Sequence, residues 1–148
     1  MRSTGEPLMT LPTTMKAAIL TALNTPLELV DVPVPQIESD EVLVQIEASG
    51  VCFTDVQILK GEHAPPVLPL IMGHEGVGRV VAVGANAKRL KVGDRVGVGY
   101  VHGACGHCRD CRTGGENYCP DFDATGFSVP GCFAEYVALR DQWANKIP

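Results

Sequence analysis

The residues with the most chemistry in this chain are its cysteines. Four of the six stand close together, at Cys105, Cys108, Cys111 and Cys119 in "CGHCRDCRTGGENYC", with the spacing C-x2-C-x2-C-x7-C. Three cysteines so closely spaced do not pair off comfortably, because a disulfide needs particular Cα separations and directions. A loop wound around a cation can instead bring four thiolates to tetrahedral positions, at about 2.3 Å from zinc. Gly106, Gly114 and Gly115 let such a loop turn tightly, so that its N–H groups can donate to the sulfurs. The spacing itself leaves zinc and an iron–sulfur cluster both open. A site with four cysteine ligands is coordinatively closed, so it is structural and any reaction belongs elsewhere.

A second set of ligand types is Cys52, His74 and Glu75. Taken singly each is weak: a lone buried cysteine is usually a small hydrophobe, and a lone histidine is more often a hydrogen-bonded core residue than a ligand. Together they offer soft, borderline and hard donors suited to a second zinc. Three protein ligands leave one position for water or substrate, which is the arrangement of a catalytic zinc. Asp55 could orient the His74 ring by accepting its other N–H.

These residues need elements to hold them. "MKAAIL" from Met15 and "LELVDVPVP" read as the first two strands. "DEVLVQIEAS" alternates, with Val42, Val44, Ile46 and Ala48 on one face and Gln45 and Glu47 on the other. "CFTDVQILKG" changes period, and a short helix capped by Thr54 or Asp55 and ended by Gly61 is expected there. "HAPPVLPLIMG" reads as a loop whose prolines exclude regular ladders. "GVGRVVAVG", "KVGDRVGV" and "CFAEYVAL" return to strand, with the cysteine cluster as a loop excursion between the last two. Cys52 thus follows a strand and precedes a helix, and His74 and Glu75 follow a proline-rich loop. Many short strands with Gly and Pro turns argue for a small, mainly β barrel with little helix. Neither "GHEGVGRV" nor "GVGYVHG" sits on the strand-to-helix turn of a βαβ unit, so a dinucleotide-binding fold is not expected within these residues.

The bulk composition excludes several classes. The chain has 148 residues, one domain's worth, with 45% hydrophobic and 20% charged residues and a formal net charge of −5. Such a chain has no electrostatic pull toward nucleic acid or anionic lipid. No apolar run approaches the roughly 20 residues of a membrane span. The N-terminus "MRSTGEPLMTLPTT" lacks the apolar stretch of a signal peptide, and residues 1–14 read as a flexible tail. A cytoplasmic location follows as the expectation, and in that reducing setting thiols stay free or bind metal.

The segments "GVCFTDVQILKG", "LPLIMGHEGVGRVVAVG", "KVGDRVGV", "CGHCRDCRTGGENYC" and "GCFAEYVAL" follow one another in a familiar order. Through them residues 15–148 resemble the zinc-dependent alcohol dehydrogenases of the medium-chain dehydrogenase/reductase superfamily. The bacterial and yeast-type enzymes that act on short primary alcohols are the nearest in pattern. The resemblance implies a GroES-like β-barrel, the N-terminal catalytic domain of that family, with a structural zinc loop over residues 102–121. It implies that Cys52 and His74 ligate a catalytic zinc and that Glu75 is the neighbouring acid that can transiently coordinate it. It makes Thr54 the hydroxyl that takes the alcohol proton and Asp55 the carboxylate behind the ligands. Cys105, Cys108, Cys111 and Cys119 become structural zinc ligands, which favours zinc over iron–sulfur. The implied reaction oxidises a small alcohol to its aldehyde, or the reverse, with NAD(H), and the implied full-length assembly is a homo-oligomer.

The chain also departs from the pattern. Phe53 stands where relatives usually carry His or Arg, and it cannot contact a cofactor phosphate. Gln57 stands where many place a His that ends a proton relay; it can hydrogen-bond a cofactor ribose but cannot titrate. Cys132 reads as a buried free thiol without a role. Family members continue into a third zinc ligand and a Rossmann domain, both absent from this chain, so the 148 residues are expected to be inactive alone. The competing expectation is a non-enzymatic, zinc-stabilised β-barrel that acts as an interaction module. Thr54, Asp55 and Glu75 beside Cys52 and His74 separate the two, since a purely structural barrel needs none of them.

Overall fold

A computed structural model describes residues 11–148. Residues 1–10 of the expected tail lie outside the described residues, and the first strand already opens at Thr14. β1 (Thr14–Leu20) and β2 (Glu28–Pro33) form an antiparallel pair running from Thr14↔Pro33 to Ile19↔Glu28. β3 (Glu41–Ser49) leads into α1 (Phe53–Leu59), followed by β4 (Leu70–Ile71) and β5 (Gly76–Val83). β6 (Arg95–Val98) and β7 (Val101–Gly103) precede the cysteine loop, which holds a single turn α2 (Arg109–Arg112) and a 3-10 turn at Glu116–Tyr118. β8 (Asp123–Ala124), β9 (Tyr136–Arg140) and β10 (Ala144–Lys146) complete the chain.

The central sheet has the order β10-β6-β5-β3-β9, the second has β2-β1-β4, and β7 pairs with β8. The expected mainly β architecture is thus the one observed, with the sheet curled into a half-barrel. The curl changes the burial pattern of β3. Val42 and Val44 enter the main core with Val80, Val96 and Leu139. Leu43, which alternation would place toward solvent, is 2% exposed because Met15 and Tyr136 cover the other face. A third cluster of Leu20, Ile58, Leu70 and Met72 fixes α1 against the β1–β4 sheet.

Two sequence expectations need correction. The proline-rich loop does contain a ladder, because Leu70 and Ile71 pair with Leu20 and Ile19 of β1 once the last proline is passed. The strand expected from Cys132 begins only at Tyr136, because the N–H groups of Cys132 and Phe133 bond to Gly73 and Met72 rather than to a neighbouring strand. Among the described residues no helix is long and apolar enough to cross a membrane.

The β5–β6 turn is held by Asp94. Its buried carboxylate accepts from Lys146 Nζ at 2.8 Å and from the Lys91 N–H at 3.1 Å, tying the turn to β10. The bond from Lys146, together with that from Lys91, holds the Asp94 carboxyl below its ordinary value against the opposing effect of burial. A carboxyl depressed in the folded state stabilises it above the unfolded value of about 3.9, and the contribution is lost as pH falls through the folded value. Asp94→Asn should therefore melt lower than the parent at pH 7. The gap should close as the pH is taken below about 4, read by thermal melts across a pH series.

Candidate metal centres and substrate cleft

The register of β3 against β5 brings the second ligand set together. Ser49 at the end of β3 pairs with Gly76 at the start of β5, and the ladder is extended by the Gly50 N–H donating to Glu75 O at 2.9 Å. Cys52, just past β3, and His74 and Glu75, just before β5, therefore emerge at the same end of the sheet. Their ligand atoms lie within 4.8 Å of one another. The backbone of Gly50 packs close against the Glu75 side chain, so a Cβ there would push the carboxylate aside.

The N-cap of α1 is Cys52 itself, with extended φ/ψ of −88° and 154°, rather than Thr54 or Asp55. Asp55 takes part from inside the first turn: its Oδ2 accepts the Cys52 N–H at 2.9 Å, the reciprocal half of a capping box. Asp55 Oδ1 faces His74 Nδ1 at 3.6 Å, with the two side chains only 5% and 9% exposed. Neither atom has any other hydrogen-bond partner. Buried polar atoms left unpaired are costly, and a shift of well under 1 Å joins these two as Nδ1–H···Oδ1. Nε2 is then left with its lone pair free for a metal, which is how a carboxylate orients a metal-ligating histidine. The orphaned pair and the soft–borderline–hard donor set fit a zinc ion.

Thr54 Oγ1 accepts from Cys52 Sγ at 3.6 Å. It lines a cleft of about 380 Å3 together with His63, His74, Tyr100 and Phe127. The Tyr100 ring stands edge-on to His74, with centroids 5.3 Å apart at 76°, and Phe122 supports it from behind at 5.8 Å. Burial raises the Tyr100 hydroxyl above its ordinary value. Gln57 lies on α1 one turn beyond Thr54 and does not line the cleft; its carbonyl accepts the Glu62 N–H at 2.9 Å. Phe53 is 69% exposed.

The four loop sulfurs also lie within 4.8 Å of one another, and all six cysteines are free. Their N–H donors are in place: Cys105 N to Cys119 Sγ at 3.4 Å, Cys108 N to Cys105 Sγ at 3.3 Å, and Cys111 N to Cys108 Sγ at 3.4 Å. Gly106 and Gly114, at φ of 75° and 81°, make the tight turns this wrapping needs. Backbone N–H groups of His107 and Cys108 lower the Cys105 thiol, while desolvation raises that of Cys111. Four sulfurs gathered this closely fit a zinc ion.

The profile of the alcohol dehydrogenase GroES-like domain family matches residues 38–148. The chain belongs to that family. An alcohol dehydrogenase of Geobacillus stearothermophilus is 47% identical over 135 residues, which are 90% of this chain and 40% of the relative. The crystal structure of an Escherichia coli short chain alcohol dehydrogenase complexed with NADH is 32% identical with a TM-score of 0.84, over 93% of this chain and 39% of that one. A thermostable alcohol dehydrogenase from Pyrobaculum aerophilum with cobalt and zinc bound is 30% identical with a TM-score of 0.83, over 90% of this chain and 41% of that one. The chain thus spans about 40% of the length of the relatives it matches.

As a GroES-like domain of this family the chain brings Cys52, Thr54, Asp55, His74 and Glu75 to one end of the sheet and gathers the four loop cysteines apart from them. Sequence reasoning missed His63, Tyr100 and Phe127. The only signals were an aromatic just past the "VGVG" strand and a polar residue in "GEHAPP". Cys132 is buried as expected, its thiol pushed up to about 12 chiefly by desolvation.

The purified chain should carry about one tightly held zinc, measurable by elemental analysis after desalting. Cys111→Ser should lose it and admit protease between about residues 103 and 119, because ion binding there is folding free energy for the loop. Cys52→Ser should leave thermal stability within about 1 kcal/mol of the parent. If Cys52→Ser unfolds the chain as badly as Cys111→Ser, Cys52 is a structural residue.

Proposed function

We propose that this chain is the zinc-holding, alcohol-binding portion of a dehydrogenase that converts short primary alcohols to aldehydes, or the reverse, with NAD(H). One observation carries the reading: a reactive hydroxyl, Thr54, lies on the same cleft wall as the open ligand set and beside the Cys52 thiol. An interaction module has no need of that hydroxyl, nor of a buried Asp55 aimed at a ligand ring.

In this reading Cys52 and His74 hold the zinc, with Glu75 as a third donor, and Cys105, Cys108, Cys111 and Cys119 hold a second, structural ion. When bound, the open-site zinc supplies Lewis-acid polarisation of the alcohol oxygen, and NAD+ supplies hydride acceptance. Thr54 Oγ1 would hydrogen-bond the alcohol and accept its proton while passing its own hydroxyl proton on to water. Asp55 keeps the His74 ring in the tautomer that presents Nε2. Tyr100 and Phe127 exclude water from one side of the cleft. Gln57, outside the cleft, would hydrogen-bond the cofactor ribose, and because it cannot titrate the proton released at Thr54 would leave through water. The oligomeric enzyme expected from the resemblance belongs to this same proposal.

The test joins residues 1–148 to the segment that follows the matched region in the Geobacillus stearothermophilus relative. Ethanol-dependent reduction of NAD+ is expected, with Thr54→Ala lowering kcat by about 10²–10⁴-fold at unchanged zinc content and Thr54→Ser retaining most of it. A Thr54→Ala protein with parental kcat refutes the assignment.

A further inference from the structure

We propose that His63 is a specificity-determining residue that hydrogen-bonds a second hydroxyl of the substrate, so that the cleft prefers a short terminal diol to a plain alkyl alcohol. The inference rests on the dehydrogenase reading above and names its substrate class more narrowly.

The cleft has room for more than a two-carbon alcohol: its volume of about 380 Å3 falls in the ordinary range of small-molecule sites. Its lining is of two kinds. Tyr100 and Phe127 give an aromatic wall, while Thr54, His63 and the ligand His74 are the other polar side chains. His74 faces the ligand set, and Thr54 sits at the Cys52 thiol, so both belong to the reacting oxygen. His63 has no such duty. Its ring makes no hydrogen bond among the described residues, and no ligand set includes it.

The placement of His63 is nevertheless fixed by its backbone. Gly61, at φ of 75°, reverses the chain at the end of α1, and the N–H groups of Glu62 and His63 both donate to Gln57 O, at 2.9 and 3.4 Å. Thr54 lies in the first turn of α1, and His63 lies four residues past its end, where the chain has folded back onto Gln57; both side chains line the one cleft. A short chain with a hydroxyl at each end can therefore meet both, each through a hydrogen bond of about 2.8 Å. A substrate bound to Thr54 at one hydroxyl thus meets the imidazole with the other, and the imidazole can act as donor or acceptor to it. Because His63 is solvent-exposed, a plain alcohol leaves it hydrated rather than stranded. The preference is accordingly modest, about threefold to tenfold in kcat/KM.

The joined protein described above supplies the test, with 1,3-propanediol and 1-propanol as substrates. The parent is expected to favour the diol. His63→Leu should lower the diol-to-propanol ratio of kcat/KM by about fivefold, mainly through a higher KM for the diol. His63→Gln, which keeps a donor and an acceptor, should restore most of the ratio, a recovery that a merely structural role for His63 would not give. A ratio unmoved by His63→Leu overturns the proposal. Failure of the parent to oxidise either alcohol is a different result: it overturns the dehydrogenase reading, and the role of His63 with it.

Discussion

The candidate site depends on one backbone hydrogen bond and the register behind it. Ser49 opposes Gly76, and the next rung is the Gly50 N–H to Glu75 O. Because the two strands run antiparallel, the segment leaving β3 and the segment entering β5 are forced to the same edge. That is why candidate ligands about twenty residues apart in sequence meet, after which the Asp55–His74 contact orients the ring. A one-residue slip would turn every β3 side chain to the other face. The buried Val42 and Val44 on one side and Leu43 on the other make such a slip costly.

The floor of the site is equally constrained. Gly73 takes a φ of 91° directly before His74, and a Cβ there would strike the Phe133 ring. Gly126 and Gly131 pack their backbones onto Gly73, leaving no room for side chains at either position. Three backbones thus meet behind His74, and the N–H groups of Gly131 and Cys132 bond to Ile71 and Gly73 carbonyls to satisfy the buried polar groups. The imidazole is aimed by a rigid support on one side and by Asp55 on the other.

Much of this was legible in the sequence, and the remainder was hidden for identifiable reasons. The two candidate ligand sets stood out by residue type and spacing, β3 and β5 by alternation, and β1, β2 and β6 as short apolar runs between turns. The β7–β8 pair, β4 and β10 are two or three residues long, too short for any period to register; they exist because a partner strand is nearby. The helix cap was misassigned because cysteine is not a usual N-cap, and only the Asp55 carboxylate reaching back to the Cys52 N–H makes it one here. Tyr100, His63 and Phe127 come from three separated segments, and nothing local says that they face one cleft.

The cysteine loop hangs from a narrow neck. Gly103 of β7 pairs with Asp123 of β8, and Val101 pairs with Ala124, so residues 104–122 leave and re-enter the fold at adjacent points. Apart from the buried Ala104 and Cys119, the excursion contributes little to the barrel's apolar interior. A segment whose cysteines gather on one another rather than in the barrel core, and whose two ends already touch, is a cassette. It can be shortened, enlarged or dropped over evolutionary time by rejoining the neck, with only a small loop-closure term at stake. The barrel with its candidate site can therefore be inherited on one schedule and the cysteine loop on another.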